Sequence, residues 1–315
     1  MSYQLDPDEA LAAGLKRILH EQIDGAVHSL EDRGGDPGAA IHDARKRFKK
    51  IRAVMRLVRD EVGQDVYRRE NVCYRDAGRA LSDVRDSYVK VATVDALLDR
   101  YGDHLAEDAF QETRRRLVDA HRAVSHRIFE EEDAPAQVVA TVREARSRIV
   151  TLPISRDDFG AIRDSIHRVY RRGCRGLANA YEEPLPENFH DWRKRVKYLW
   201  YHVRILNPLW PGLFDEWAGQ IHDLSDYLGD AHDFAELRSL LEAEPSLCPD
   251  DDERELLLGL ADRRRAELEA AAHPLGRRIY AEAPKNFVER MAGYWRAWQM
   301  EGTVTVRPDI IVPPD

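Results

Sequence analysis

The sequence predicts an all-α fold made of two four-helix bundles related by internal pseudo-twofold duplication. Three observations support this prediction. Apolar residues recur at helical spacing, alternation typical of strands is missing before residue 303, and one half of the chain repeats the other. Proline and glycine interrupt the helical pattern at wide intervals, as at Gly63, Pro153 and Pro208, and they mark the predicted helix ends.

The duplication rests on five pairs of matching segments that occur in the same order. His42-Asp-Ala-Arg-Lys-Arg-Phe-Lys matches His190-Asp-Trp-Arg-Lys-Arg-Val-Lys at an offset of 148 residues. The other pairs, at offsets of 147 to 149, begin at His20 and His167, Leu81 and Leu228, Arg114 and Arg263, and Ala134 and Ala283. The predicted units are residues 1–155 and 156–302, which together form one domain, followed by an extended or disordered tail at 303–315.

Both copies of the repeated motif place cations directly beside an apolar helical stripe. The apolar stripes are Ile41, Ala44, Phe48, Ile51, Met55 and Val58, and Phe189, Trp192, Val196, Leu199, Val203 and Leu206. The flanking residues are His42, Arg45, Lys46, Lys49, Lys50, Arg52, Arg56 and Arg59, and His190, Arg193, Lys194, Lys197 and Arg204. Solvated helix faces usually lie opposite the core and mix both signs of charge, so these stripes are candidate binding surfaces.

The first basic stripe is almost free of acid, with eight cations and only Asp43 between His42 and Arg59. Like charges at this spacing repel each other, and the chain as a whole carries a net charge of −9. We therefore expect an anionic ligand to neutralise the stripe locally. The alternative is a solvated face, or a face paired with acids of neighbouring helices, with Asp86 and Asp233 as candidate partners.

A row of cations along a helix suits a linear polyanion, since a single phosphate usually binds at a helix N-terminus or a glycine-rich loop. The sequence contains neither GxxxxGK[ST] nor GxGxxG. Polyphosphate, RNA and DNA are the linear candidates. Base recognition favours exposed aromatic residues among the cations, and the two stripes offer only Trp200 with Tyr201 nearby. A phosphate polymer without bases is therefore expected, and nucleic acid is not.

Four His-Asp dipeptides leave a metal-dependent phosphohydrolase open as an alternative; they begin at His42, His190, His222 and His232. Adjacent residues on a helix diverge by about 100°, so no pair forms a metal site alone. Asp43 and Asp191 are expected near helix starts, where they complement the helix dipole. His20, His167 and His222 are expected either at the anion site or in the core. We predict no catalytic residue, metal or cofactor.

The three cysteines show no CxxC spacing, and no apolar run reaches the ~18 residues that a membrane span needs. The N-terminus also lacks the basic start of a signal peptide. These features predict a cytoplasmic protein with reduced cysteines.

The doubled motif resembles the paired signature of the CHAD family, the conserved-histidine α-helical domain. Tyr170-Arg-Arg-Gly173, Leu228-Gly-Asp230 and Pro284-Lys-Asn-Phe287 resemble further landmarks of that family. The resemblance covers roughly residues 8–300 and implies two four-helix bundles with a basic central cleft. It also implies binding of inorganic polyphosphate, location at polyphosphate granules and contact with granule-associated proteins. No ExExK motif of a CYTH domain is present, so a standalone CHAD protein without enzymatic activity is expected.

The resemblance assigns polyphosphate binding to specific positions of both copies. These positions are His42, Arg45, Lys46, Lys49, Arg52 and Arg56 in the first copy and His190, Arg193, Lys194, Lys197 and Arg204 in the second. We add Lys50, His20 and His167 to the predicted polyphosphate site. Trp200 stands where the first copy has Arg52, so equal binding by the two halves is in doubt. The alternatives are a metal-dependent enzyme acting on phosphorylated substrates and a helical nucleic-acid adaptor.

Overall fold

The computed structural model describes residues 3–32 and 34–301. Over these ranges the chain forms twelve α-helices and no β-strand, which confirms the predicted all-α class. The duplicated two-bundle arrangement stays a prediction. The tail predicted at 303–315 lies outside the described residues.

The helices are long and joined by short connections. The first seven are α1 (Leu11–Glu31), α2 (Pro37–Leu57), α3 (Arg59–Val62), α4 (Gln64–Ala80), α5 (Ser82–Tyr101), α6 (Gln111–His126) and α7 (Ala134–Ile149). The other five are α8 (Gly160–Glu182), α9 (Pro186–Ile205), α10 (Pro211–Ala243), α11 (Asp251–Ile279) and α12 (Pro284–Glu301). Five of these helices carry proline in the first turn, where its missing N–H costs no helical hydrogen bond.

The two motif helices, α2 and α9, begin where the sequence supplies start signals. Asp36 caps α2 by accepting hydrogen bonds from the backbone N–H groups of Gly38 and Ala39, at 3.0 and 3.2 Å. Pro186 begins α9. Asp43 and Asp191 lie well inside their helices, so the expectation that they complement a helix N-terminus is wrong. Asp43 instead pairs with Arg47, and Asp191 pairs with Lys194.

Both predicted apolar stripes are buried, and none of their twelve residues is more than 4% exposed. The stripes bring α2 and α9 into contact with each other. Nε2 of the buried His202 on α9 donates a hydrogen bond of 3.0 Å to the carbonyl oxygen of Ala53 on α2. The cations beside each stripe therefore flank the junction of the two motif helices.

The helices around this junction form two groups of neighbours. Helices α1, α2, α4 and α7 form one set of neighbours, and α8 packs on α9 and α12 while α10 packs on α9 and α11. Two apolar cores result, and each contains residues from both sides of the predicted boundary at 155/156. The smaller core joins Val94 and Leu97 of α5 and Leu117 of α6 to Leu237 of α10 and Leu257 of α11.

No helix among the described residues is both long and apolar enough to cross a membrane.

Candidate functional site

A cleft of about 610 Å³ opens between α2, α5, α9 and α10. We call it the α2–α9 cleft. It is lined by His42, Arg45, Lys46, Lys49, Arg52, Arg85, Asp86, Val89, His190, Arg193, Lys194, Lys197, Tyr198, Trp200, Tyr201, His222, Asp226, Gly229, Asp230, His232 and Asp233. Because α2 and α9 carry the two motif copies, the cleft combines side chains that are about 150 residues apart in the sequence.

The cleft contains most of the residues that the sequence predicted for anion binding. These are His42, Arg45, Lys46, Lys49 and Arg52 of α2 and His190, Arg193, Lys194 and Lys197 of α9. They recur every three or four residues, so they form a row along each helix. The structure therefore gathers the two separate stripes at a single cavity.

Lysine is concentrated in this cleft far beyond its share of the sequence. The chain has only eight lysines against forty arginines, and four of the eight line the cleft. Lysine presents a compact, mobile charge with three donors, which suits phosphate oxygens without imposing one planar geometry. The cleft is thus distinguished by its lysine content as well as by its positive charge.

Most cations of the cleft have no carboxylate partner. Eight Lys and Arg and four Asp side chains line it. Arg45 lies 3.7 Å from Asp86, and Lys194 pairs with Asp191 outside the lining. The other six form no ion pair within the part of the chain that the structure describes; these are Lys46, Lys49, Arg52, Arg85, Arg193 and Lys197. Their charge remains available to a ligand.

Two arginines of the cleft wall lie against the backbone of a neighbouring helix. Arg45 donates a hydrogen bond through Nη1 to the carbonyl oxygen of Gly78. Arg193 lies across α10 at Gly229, where an added Cβ would come within 3.0 Å of its Nη2. Glycine at this position therefore makes room for the guanidinium. Nε of Arg193 is buried without a hydrogen-bond partner in the described structure, so this side chain is not fully satisfied by the protein.

The central lysines are held in an unfavourable environment for their charge. Enclosure by the cleft walls lowers the pKa of Lys49 to about 7, and repulsion from Lys197, Arg45 and Arg193 adds to the effect. The same desolvation, with repulsion from Arg193, lowers the pKa of Lys197 to about 8. An opposite charge entering the cleft would favour the protonated form of both groups.

The family model described as CHAD domain matches residues 12–242. The chain belongs to the CHAD family. The match spans both motif copies and every residue that lines the α2–α9 cleft. A search of curated proteins returned no match.

Three histidines in the cleft of this CHAD domain, His42, His190 and His232, have lowered pKa values. The rings of His190 and His232 lie 4.2 Å apart. Burial lowers the pKa of both to about 4, with repulsion from neighbouring cations, so neither is charged at neutral pH. Burial and repulsion from Arg85 also lower the pKa of His42. Uncharged imidazole can donate to phosphate oxygens through its N–H group without adding to the repulsion in the cleft.

Three aspartates of α10 form the opposite wall of the cleft. Asp226, Asp230 and Asp233 follow one another at spacings of four and three residues, which places them on one helical face. Burial raises the pKa of Asp233 to about 6 and also raises that of Asp230. The predicted partner Asp233 forms no ion pair within 4.0 Å in the described structure. Asp226 pairs with His222 at 2.8 Å, and none of the three forms an ion pair with a lysine or arginine among the described residues.

Five predicted residues lie outside the lining of the cleft, and three of them are cations close to it. Arg204 lines an adjoining cavity of about 460 Å³, which shares Trp200 and His222 with the cleft. Lys50 lies beside that cavity, with Nζ 5.0 Å from the ring of Tyr3. Arg56 stacks 4.1 Å from the ring of Tyr198, which separates it from the cleft. That these three residues bind polyphosphate stays a prediction.

The other two predicted residues outside the cleft are histidines. His20 is half-buried on α1, and its pKa is lowered first by burial and then by Arg146, which pairs with Asp24. His167 is half-buried on α8 and does not line the cleft. Their assignment to the polyphosphate site stays a prediction, but the structure does not bring them together with the lysines.

Arg85, His232, Asp226 and Asp230 also line the cleft but are not among the binding residues predicted from the sequence. A signal for two of them is present, because the matching segments that begin at Leu81 and Leu228 contain Arg85 and His232 at equivalent positions, 147 residues apart. By itself this match indicates a repeat and not a binding site. Arg85 and His232 lie opposite the motif helices because of the way α5 and α10 pack, and the sequence alone does not predict that packing.

Metal-binding side chains are not grouped in the described part of the chain: no three His, Cys, Asp or Glu residues there are arranged to hold a metal ion. The residues that line the cleft can provide hydrogen bonds and positive charge to an anion.

Proposed function

We propose that this CHAD domain binds inorganic polyphosphate in the α2–α9 cleft without catalysing a reaction. One observation carries the proposal: eight cations, seven of them from the two motif helices, converge on one cleft, and six of the eight have no carboxylate partner within the described residues. A buried or enclosed charge without a counter-charge is costly, and a polyanion would remove that cost. The family to which the chain belongs is associated with the same ligand.

The dimensions of the two rows favour a phosphate polymer. From position 42 to position 52 a helix rises about 15 Å at 1.5 Å per residue, so the cations of α2 can contact several successive phosphates. The row on α9 runs beside it and supplies further contacts. Orthophosphate would use only a small part of such a row. We therefore expect affinity to rise steeply with chain length.

The aromatic residues favour polyphosphate over nucleic acid. Trp200 and Tyr201 line the cleft, but they are only 9% and 3% exposed. Trp200 packs edge-on against His222, with ring centroids 4.6 Å apart. Base binding normally needs accessible aromatic faces, and these rings offer little. RNA should therefore compete weakly with polyphosphate.

Attachment to polyphosphate granules follows from this proposal, because a protein that binds the polymer through an open cleft can bind it at a granule surface. Contact with granule-associated proteins is a further part of the same proposal. A fluorescent fusion should colocalise with stained granules and become diffuse when Lys49 and Lys197 are replaced.

The direct test is a titration of the purified protein with long-chain polyphosphate at two salt concentrations, with RNA and orthophosphate as controls. We expect tight binding that weakens with salt, persists in EDTA and is not matched by RNA. Release of orthophosphate from the polymer during the titration, abolished by EDTA, would support the metal-dependent enzyme. Equal binding of RNA would support a general polyanion surface. Either result would contradict the proposal.

A further inference from the structure

A second group of cations lies behind Tyr198, on the side away from the cleft. It lines a small depression between the end of α2, α3, α8 and α9. We call it the arginine cluster, and it consists of Arg56, Arg59, Arg168, Arg172 and Arg195. Arg56 and Arg59 belong to the basic stripe identified in the sequence, and only Arg56 of the cluster was among the residues predicted to bind polyphosphate.

The cluster contains more positive charge than its neighbours neutralise. Arg168 pairs with Asp60 at 2.8 and 2.9 Å. Arg59 donates to Gln64, and Nε of Arg56 is buried without a hydrogen-bond partner in the described structure. Arg172 and Arg195 form no ion pair within the described residues. Partial burial and repulsion, chiefly from Arg195 and Arg56, lower the pKa of Arg172.

Tyr198 connects the cluster to the cleft, since its ring lines both. Arg56 donates a hydrogen bond of 3.3 Å to its hydroxyl oxygen and lies 4.1 Å from its ring centroid. Burial alone would raise the pKa of Tyr198, but the surrounding guanidinium groups, chiefly Arg56 and Arg52, outweigh it and lower the pKa. The positive field of the cleft therefore continues past this side chain.

Two of the cluster arginines, Arg172 and Arg195, have no unpaired counterpart in the first repeat. At the offset of 148 residues, Arg195 corresponds to Arg47, which pairs with Asp43 at 2.6 Å. At 147 residues, Arg172 corresponds to Gly25, where a Cβ would collide with the guanidinium of Arg47. The first repeat thus has one paired arginine where the second has two unpaired ones.

We propose that Arg56, Arg172 and Arg195 form a second phosphate-binding site, separate from the α2–α9 cleft. The depression itself holds only about 10 Å³, which is about the room that one water molecule needs. A phosphoryl oxygen can enter it while the rest of the group stays at the mouth, where Arg172 is exposed. Guanidinium groups suit this role because they bind phosphate oxygens in pairs. The choice of phosphate as the ligand rests on the proposed function.

The phosphate could belong to the chain that occupies the cleft or to a separate short phosphate, and variants distinguish the two. We suggest Arg172→Gln with Arg195→Gln as the cluster variant. Arg171→Gln with Arg175→Gln is the matched control, since both are exposed arginines of α8 outside the depression and without ion pairs in the described structure. Lys49→Met with Lys197→Met serves as the cleft variant. Each is titrated with tripolyphosphate and with long-chain polyphosphate.

Whichever source the phosphate has, the control variant should bind tripolyphosphate and long-chain polyphosphate like the unaltered protein. If the chain in the cleft extends past Tyr198, the cluster variant should bind long-chain polyphosphate about tenfold more weakly. If the cluster holds a separate phosphate, its loss should reduce tripolyphosphate from two sites to one and leave long-chain affinity unchanged. A cluster variant that matches the control with both ligands would overturn this inference. If only the cleft variant has no effect, the proposed function fails while the second site stands.

Discussion

The α2–α9 cleft and the two arginine triplets are both rich in cations, but their partners differ. Arg114, Arg115 and Arg116 all pair with carboxylates, as do Arg263, Arg264 and Arg265. In the cleft six of eight cations have no such partner within the described residues. The net charge of −9 shows that acids are abundant elsewhere.

This difference indicates that a run of cations in the sequence does not by itself identify a binding site. Both kinds of run are present in both repeats. Five of the six triplet arginines pair with a carboxylate three or four residues away on their own helix, and Arg114 pairs with Asp95 of α5. The triplets are solvated ion-pair networks, of the kind that contributes little to stability. The cleft keeps its charge unpaired and encloses it, and this combination indicates an anionic ligand.

The largest effect is expected from removing the two central lysines. Lys49→Met with Lys197→Met should weaken long-chain polyphosphate binding by about a hundredfold, since one charge-assisted contact is typically worth about a factor of ten. The melting temperature should be unchanged or higher. A lysine whose pKa is lower in the folded chain than in the unfolded chain opposes folding while it is protonated. Titration and thermal denaturation measure the two effects.

The matched control is Arg115→Gln with Arg263→Gln, which removes the same charge from the triplets. Both residues are well exposed, at 60% and 69% of the side chain. Affinity should change less than twofold. Equal losses in the cleft variant and the triplet variant would mean that overall charge governs binding, and the distinction between the two regions would fail.

The salt dependence of polyphosphate binding should also differ between the double lysine variant and the triplet variant, by a smaller but measurable amount. For polyanions that bind by releasing counterions, the slope of log affinity against log salt falls by roughly one for each lost phosphate contact. The double lysine variant should therefore lower the slope by about one to two, and the triplet variant should leave it unaltered. A slope that stays the same in both would count against direct phosphate contacts in the cleft.

Binding should weaken as the pH rises from 6 to 9. Lys49, with a pKa of about 7, and Lys50 and Lys197, with pKa values of about 8, lose their charge over this range. Internal phosphates of the polymer stay ionised, so the change reflects the protein. Protons should be taken up on binding, which titration in buffers of different ionisation enthalpy detects. The double lysine variant should show a flatter pH profile.

The smallest effect is expected at the acidic wall. Asp233→Asn should strengthen binding a few-fold at pH 7.5, because it removes a negative charge that no ion pair within 4.0 Å satisfies in the described structure. The gain should vanish below pH 6, since the pKa of Asp233 is about 6 and the native side chain is then protonated. Weaker binding in this variant would mean that Asp233 orients a cation that contacts the ligand.

The period of the helix explains why the apolar stripes could be predicted from the sequence and the lining of the cleft only in part. Spacing alone identified the apolar stripes beginning at Ile41 and Phe189, since burial follows the period of the helix. Spacing also placed Lys49 and Lys197 beside the core. It could not separate Arg56 from Arg52, because the boundary between them is the ring of Tyr198, about 140 residues away in the sequence.

The acidic wall and the arginine cluster depend on the same long-range packing. Asp230 and Asp233 face the cations only because α10 lies against α9. Arg172 meets Arg56 and Arg195 because α8 packs on α9 and contacts α2. No local pattern encodes these contacts. The all-α class and the motif helices were predictable from periodicity, whereas the acidic wall and the arginine cluster required the structure.

The central claim, that polyphosphate occupies the α2–α9 cleft, is tested most directly by chemical labelling of lysines. Five of the eight lysines are informative: Lys46, Lys49, Lys194 and Lys197 line the cleft, and Lys285 is an exposed internal control on α12. An amine-reactive reagent is applied with and without long-chain polyphosphate, and mass spectrometry reports each site. If polyphosphate occupies the cleft, the polymer should protect the four cleft lysines and leave Lys285 unchanged. Labelling of the cleft lysines that polyphosphate does not slow, or equal protection of Lys285, would contradict it.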